Sequence, residues 1–408
     1  MNEANFKDKI FMKVTSIILG VLFTLSASFS YAADSDIPEP FSGDDPSSKL
    51  SIGYDDLNAF LKPHTFDSGP STRKKAPESD SNLGTKFKVR VKRKTALEGN
   101  RFYFTNLEKP DVVEILSDLV DSLEALPDQV PLKLLNRDEQ LAFWLNLYNF
   151  ALLEQLSSVY PKSSLKNVLD YGDDDSILAK KVVTVAGIPL SLNDIQFNIL
   201  YKKYPGKASI MYGFFQGNIG GPNIREKAYE GKNVWRSLED NAQRFVNSNR
   251  GTEVGSRGKV LISELYEHNM MLFDGDKAKL RSHLEDLAVG EVETALASMK
   301  SAKKLDFDIV DWSFADMFGH QRRFGAGYNT NAAALLDSVK STQVNEKGQS
   351  VQVQSYIAEG IQAKAKMDIR FTDSELETLM MLKRKFEGNK GSVEIKDLES
   401  SKETKEEK

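Results

Sequence analysis

The sequence of 408 residues contains no cysteine, and this absence excludes several kinds of chemistry. Without a thiol, the chain cannot form disulfides, use a cysteine nucleophile, or hold zinc or iron–sulfur clusters through thiolates. Histidine is also scarce, with four residues at positions 64, 268, 283 and 320. No two of them have the spacing of a ligand pair on one helix turn. We therefore expect no metal site, and we expect no other cofactor.

The chain also lacks a strong excess of either charge. Lys and Arg together number 54 and Asp and Glu number 59, which gives a formal net charge of −5. Binding to nucleic acid requires a concentrated positive field, so we expect no nucleic-acid partner. Hydrophobic residues make up 40% of the chain, which is enough to build a sizeable core.

One long apolar run stands near the N-terminus and has the features of a secretory signal. Three lysines precede the apolar run 14–28, and the small residues Ser30 and Ala32 follow it. The run is shorter than the roughly 20 residues of a spanning helix, so an uncleaved anchor is the less favoured alternative. We expect cleavage after Ala32, which makes 1–32 a signal peptide. The mature protein should then be soluble, without a membrane span, and periplasmic, with secretion as the alternative.

Composition divides the rest of the chain into four parts. Residues 33–105 form a polar linker with a short helix at 52–61, stopped at Pro63, and a strand at 87–91. Within that linker, 33–50 has too few apolar groups to order. Residues 106–318 are dense in periodic segments and form the main domain. Residues 319–388 form a C-terminal helical extension, and 389–408 form a disordered charged tail.

Hydrophobic periodicity in the main domain predicts helices more often than strands. The predicted helices are 112–126, 137–156, 192–200 (capped by Ser191), 234–246, 265–273 and 278–288, and the predicted strands are 181–185 and 260–262. This pattern predicts an α/β or α+β fold, with a mostly helical core around a small sheet. The N-terminal linker and the C-terminal tail are expected to be disordered.

Four motifs, in a characteristic order, carry a resemblance to a known family. Residues 141–149 read Leu-Ala-Phe-Trp-Leu-Asn-Leu-Tyr-Asn, and 185–195 combine Val-Ala-Gly with Leu-Ser-Leu-Asn-Asp-Ile. A glycine-rich loop, Gln-Gly-Asn-Ile-Gly-Gly-Pro, occupies 216–222, and Asp-Trp-Ser follows at 311–313. Together they resemble the family called domain of unknown function 547, over roughly residues 106–318.

The resemblance implies an architecture more than an activity, since the role of the family is largely unassigned. Many members carry Cys in the glycine loop and a Glu-His pair, which has invited comparison with papain-like and transglutaminase-like hydrolases. Here Gln216 and Gly221 stand where the Cys would be, and Gln196 and Phe197 stand where the Glu-His pair would be. Gly and Phe have no proton to transfer, and Gln does not titrate, so a thiol mechanism is excluded.

The helix 137–156 and the glycine loop supply the candidate site. The helix is apolar nearly all round, which indicates a buried helix, and buried amides on it require hydrogen-bond partners. Three glycines in the loop could bring backbone N–H groups to an anion, and a following arginine could add a bidentate contact. The candidate ligand-binding residues are Glu139, Trp144, Asn146, Asn149, Gln216, Asn218 and Arg225. A structural role remains open: the amides could tie neighbouring segments to the core, and Arg225 could form a surface ion pair.

These features favour an exported protein that binds a small ligand or an envelope protein without turning it over. We expect the site in a cleft between the Trp144 helix and the Gly217 loop. The alternative is a hydrolase or transferase of papain-like or transglutaminase-like ancestry with a non-thiol constellation, such as Glu139 with Asn146, Asn149 and Gln216. A third possibility is a structural envelope protein. The sequence identifies no catalytic residue.

Overall fold

The computed structural model describes residues 37–73, 95, 98–162 and 164–317. The predicted signal peptide, the strand 87–91, the C-terminal helix, the charged tail and His320 lie outside the described residues. None of the helices in the described ranges combines the length and the apolar composition that a bilayer-spanning helix needs.

Helices make up most of the regular structure. The α-helices are α1 (Asp55–His64), α2 (Pro110–Glu124), α3 (Leu126–Gln129), α4 (Arg137–Val159), α5 (Tyr201–Lys203), α6 (Val234–Val246), α7 (Glu264–His268), α8 (Lys277–Leu287) and α9 (Gly290–Ser298). A π-helix, Asp194–Leu200, leads into α5. Short 3-10 turns include Glu39–Phe41, Phe104–Glu108, Ala208–Gly213 and Met270–Phe273.

The strands form small sheets at the edges of this helical core. They are β1 (Thr65–Phe66), β2 (Arg101–Phe102), β3 (Lys181–Val185), β4 (Ile188–Ser191), β5 (Thr252–Val254), β6 (Val260–Ser263) and β7 (Leu305–Ile309). Strands β1 and β2 pair antiparallel, as do β3 and β4. In the third sheet, β6 pairs antiparallel with β5 and parallel with β7. The chain is therefore a mixed α and β protein with a mostly helical core, which confirms the predicted fold class.

Helix α4 runs through the core because nearly every side of it is apolar. Its first turn is capped by Asn136, whose side-chain oxygen accepts from the Glu139 backbone N–H at 2.9 Å. The Trp144 side chain is fully buried and meets the ring of Phe41 edge-on, with ring centroids 5.0 Å apart. Helix α2 packs along α4. Both helices were predicted, and α4 extends three residues beyond its predicted end.

Residues 37–50 differ from the expectation that they would not order. Phe41 is fully buried against α4, and the backbone carbonyls of Phe41 and Gly43 accept from the Lys203 ammonium at 2.6 and 2.9 Å. The prediction counted apolar residues along the segment. A single aromatic side chain in the core, together with a buried cation that binds the backbone, is sufficient to dock it.

Three predicted helices have different ends in the structure. Helix α1 continues one residue past Pro63, because a proline in the last turn removes only its own N–H from the helix. The segment after Ser191 winds as a π-helix from Asp194, whose backbone N–H donates to the Ser191 hydroxyl at 3.1 Å. The predicted helix 265–273 is divided at Asn269 into α7 and a 3-10 turn.

Candidate functional site

A shallow surface cleft lies where the glycine loop meets α7 and the segment after β7. The loop supplies Gln216, Asn218 and Gly220 to its wall. Helix α7 and its N-cap supply Ser263, Glu264, Leu265 and His268, and the end of β7 with the segment after it supplies 309–312. Three stretches far apart in sequence therefore build one concave surface, the kind of surface on which small ligands bind.

The loop holds its shape through backbone hydrogen bonds to the segment 311–315. The N–H of Ile219 donates to the Ser313 carbonyl at 2.8 Å, and that of Gly220 donates to the Asp311 carbonyl at 2.9 Å. Gly217 has a φ of +72°, and a Cβ there would lie 2.3 Å from Leu156 Cδ1, so only glycine fits. The expectation that this loop offers bare N–H groups to an anion is therefore wrong for Ile219 and Gly220, because carbonyl oxygens already accept from them.

Two amide side chains face one another across the loop. The Gln216 Nε2 donates to the Tyr171 hydroxyl, and the Tyr171 ring stacks on the His268 imidazole with centroids 4.5 Å apart. Asn218 is 3% exposed, and its Oδ1 has no hydrogen-bond partner among the described residues. This oxygen lies against Gly221, where a Cβ would be 2.8 Å from it, so a larger residue at 221 would clash with the Asn218 side chain.

The electrostatics of the cleft are acidic. Its described side chains include the carboxylates of Glu264 and Asp311 and no Lys or Arg. The Asp311 carboxylate is itself bonded, to the Thr95 hydroxyl at 2.6 Å and to the Ser313 N–H at 3.1 Å. Burial lowers the pKa of His268, against the opposing effect of Glu264 and other nearby carboxylates, so the imidazole stays neutral at pH 7. The buried Arg101 guanidinium lies near enough to Asp311 to offset its charge, which leaves Glu264 as the other carboxylate of the wall.

A buried network of neutral groups lies behind this cleft. The Gln196 amide donates to Asn269 Oδ1 at 3.0 Å and to the Tyr201 hydroxyl at 2.9 Å, and Tyr201 in turn donates to Asn269 at 2.6 Å. Burial raises the pKa of both Tyr171 and Tyr201, which keeps the two phenols protonated. These hydrogen bonds stabilise the wall of the cleft, and none of these groups changes protonation near pH 7.

Three of the candidate residues from the sequence meet at or directly behind this cleft. Gln216 and Asn218 line it. Asn149 sits behind them, where its amide donates to the Gly213 carbonyl and accepts from the Phe215 N–H, both at 2.9 Å. Asn149 thus positions the chain that leads into the loop.

The other four candidates lie elsewhere. Asn146 exchanges two hydrogen bonds with the Tyr229 backbone, at 2.8 and 2.9 Å, and Arg225 donates to Ser237 and Asp240 with its guanidinium over the Tyr229 ring. Glu139 accepts from the Ile52 N–H at 3.2 Å, and Trp144 is buried in the core. Asn146 therefore ties a neighbouring segment to the core, and Arg225 forms an ion pair with Asp240. These are the structural roles that the sequence left open as alternatives to ligand binding.

Sequence reasoning missed Glu264, His268 and Trp312 as parts of the cleft wall. Trp312 belongs to a motif that carried the family resemblance, so a signal for it was present. Glu264 and His268 had no such signal, because α7 reaches the loop only through the parallel pairing of β6 and β7. Among the residues with described positions, no group of three or more His, Asp or Glu could hold a metal ion.

The fold and the cleft define a cysteine-free, mostly helical protein with a shallow cleft beside its glycine loop. Comparison with known families gives a match at residues 132–246 to the family described as "Protein of unknown function, DUF547". This confirms the resemblance and covers α4 and the glycine loop, but it stops before α7 and Asp311. No curated protein and no solved structure matches the chain.

Proposed function

We propose that the protein is exported and binds a small ligand, or a protruding group of an envelope partner, in the cleft beside the glycine loop. The signal-like segment 1–32 supports export, with the periplasm as the location and secretion as the alternative. The sequence predicted a site between α4 and the Gly217 loop. The proposed site lies instead on the α7 side of that loop, because Leu156 of α4 packs directly against Gly217.

The observation that carries this proposal is the meeting of three separate stretches of chain in one concave surface. That surface presents the Gln216 amide, the Glu264 carboxylate, the His268 imidazole and the Trp312 ring beside apolar side chains. A few polar groups set among apolar and aromatic side chains are typical of surfaces that bind small ligands.

Binding without turnover fits the chemistry of this wall. Gln216 and Asn218 carry neutral amides, the Ser263 hydroxyl accepts from the Leu265 N–H at 3.1 Å as the cap of α7, and the chain has no thiol. The alternative of a hydrolase or transferase relied on Glu139 acting with Gln216. Ten residues of helix separate Glu139 from Asn149 beside the loop, which is about 15 Å along α4. The Glu139 carboxylate does not line the cleft.

A substitution that fills the cleft mouth tests the proposal. Val310 is 44% exposed at the rim, so Val310→Tyr should narrow the cleft with little effect on stability. The matched control is Val289→Tyr, at a 63% exposed valine outside the cleft wall. Saturation-transfer NMR with butylammonium, butyramide, butyrate and N-acetylglucosamine should show at least one probe bound to the wild-type protein. That signal should fall at least about tenfold in Val310→Tyr and persist in the control.

Absence of binding by all four probes would contradict the ligand-binding role. Equal signals from the two tyrosine variants would contradict the location of the site. Folding of each variant is checked by its circular dichroism spectrum.

A further inference from the structure

We propose that a water molecule is bound in the core behind the cleft, where it accepts hydrogen bonds from the Tyr148 and Tyr171 hydroxyls and donates one to Gln196 Oε1. The inference does not depend on the proposed ligand binding. Ring contacts, a count of donors and acceptors, and the neutrality of the surroundings each support it.

A continuous set of ring contacts brings the three groups into one region of the core. The Tyr148 ring lies 4.6 Å from the Phe214 ring, between centroids, and Phe214 lies 6.1 Å from the ring of Tyr201. The Tyr201 hydroxyl is bonded to Gln196, and its ring is linked to Tyr171 through one further phenylalanine ring, with centroid separations of 5.5 and 6.2 Å. The Tyr171 and Tyr201 phenols lie near enough to Tyr148 to add to the rise of its pKa that burial causes.

The hydrogen bonds among these groups leave one acceptor and two donors unused. The Gln196 amide gives its hydrogens to Tyr201 at 2.9 Å and to Asn269 at 3.0 Å, and its Oε1 has no partner among the described residues. The Tyr171 hydroxyl accepts from a side chain of the glycine loop, and no described group accepts its hydrogen. The Tyr148 hydroxyl has neither a donor nor an acceptor in the described part of the chain.

A single water molecule suits this set of unused groups. Tyr148 and Gln196 are 1% and 2% exposed, so bulk solvent does not reach them. Buried polar atoms almost always have partners, and a buried water typically makes about three hydrogen bonds to groups that the protein leaves unpaired. One water can accept from both phenols and donate to the amide oxygen.

The surroundings favour a neutral molecule over an ion. The phenols of Tyr148 and Tyr171 stay protonated because burial raises their pKa, and the amides of Gln196 and Asn269 carry no charge. An ion moved from bulk water into this region would lose its hydration without gaining a partner of opposite charge. Through Tyr171, the bound water also helps to fix the Gln216 amide in the cleft wall.

A high-resolution crystal structure of the purified protein tests the proposal. We expect electron density for one water at roughly 2.5–3.0 Å from Tyr148 Oη, Tyr171 Oη and Gln196 Oε1. The density should be absent from the double variant Tyr148→Phe/Tyr171→Phe, which lacks both donors. Tyr229→Phe is the matched control, because it removes a buried hydroxyl that accepts from Asn241 instead, and it should keep the water.

Urea unfolding supplies a second measurement in solution. A water that joins the two phenols couples them, so the unfolding equilibrium constant of the double variant should depart at least about twofold from the product of the two single effects. The effects of Tyr148→Phe and Tyr229→Phe, which share no water, should simply multiply.

A direct hydrogen bond between Tyr148 and Gln196, or no density among the three oxygens in the wild-type crystal, overturns the proposal. Density that persists in the double variant, or single effects of the two phenols that multiply, also overturns it. If a variant does not fold, the wild-type crystal decides the question by itself.

Discussion

Individual buried amide side chains connect segments of this protein that are far apart in sequence. Asn146 and Asn149 each exchange two hydrogen bonds with the backbone of a distant segment, at Tyr229 and at Gly213 with Phe215. An amide buried without partners costs on the order of 1–3 kcal/mol, so the sequence could predict that these residues are paired. It could not name the partners, because the segments involved lie more than 60 residues away.

Protonation of His64 should lower the free energy of unfolding. It is fully buried, its Nδ1 donates to the Phe60 carbonyl at 2.7 Å, and its Nε2 accepts from the Asn106 amide. Burial lowers its pKa to about 4. The unfolded chain, with a pKa near 6.5, then binds a proton that the folded chain does not, so stability falls as the pH drops from about 6.5 to 4. The full loss is about 3 kcal/mol.

Urea unfolding of His64→Gln at pH 7, 5.5 and 4.5 measures this effect. The variant cannot take up the proton, so its stability should fall less steeply on acidification than that of the wild type. Lys232→Gln, at a 75% exposed side chain, is the control and should keep the wild-type slope. Parallel curves for the His64 variant and the wild type would contradict the assignment.

At the scale of elements, the sequence predicts that a helix exists and is buried better than it predicts the residues at which the helix ends. Helix α4 is apolar on nearly all sides, and this pattern alone indicates a buried helix whatever its neighbours are. The break between α7 and the 3-10 turn was missed, because the Asn269 side chain bonds to the Leu265 carbonyl at 2.7 Å and to Tyr201. The second contact comes from a remote element, so local periodicity could not predict it.

Lys203 joins two elements and gives a prediction at this scale. The residue is 1% exposed, and its ammonium donates to the carbonyls of Phe41 and Gly43 and to the Gln140 side chain. Lys203→Met keeps the aliphatic stem and removes the donors, so these acceptors lose their partner. We expect a loss of about 2–4 kcal/mol in the free energy of unfolding, and faster proteolysis within 37–50.

Lys232→Met is the control, since Lys232 has a 75% exposed side chain in a surface ion pair with Glu230. It should change stability by less than about 1 kcal/mol. Unfolding in urea and limited proteolysis followed by mass spectrometry measure both effects. If 37–50 is cut at equal rates in both variants, Lys203 does not anchor that segment.

At the scale of the whole molecule, export is the property to test. The sequence predicts that a bacterial host cleaves the chain after Ala32. The protein recovered from the periplasmic fraction or the medium should therefore begin at Ala33 by N-terminal sequencing. Replacing Ala32 by a bulky residue, as in Ala32→Tyr, should leave an unprocessed chain of higher mass. Recovery of the full-length wild-type chain in the cytosol would contradict export.

The sequence by itself determined the absence of thiol chemistry, the mostly helical class and the burial of α4, since composition and helical periodicity act over a few neighbouring residues. Tertiary structure alone brought the loop at 216–220, the start of α7 and residues 309–312 to one cleft, and it left Glu139 and Arg225 outside. The physical reason lies in long-range backbone pairing. The loop bonds to 311–315 and β6 pairs with β7, and neither pairing leaves a mark in the local pattern of the chain.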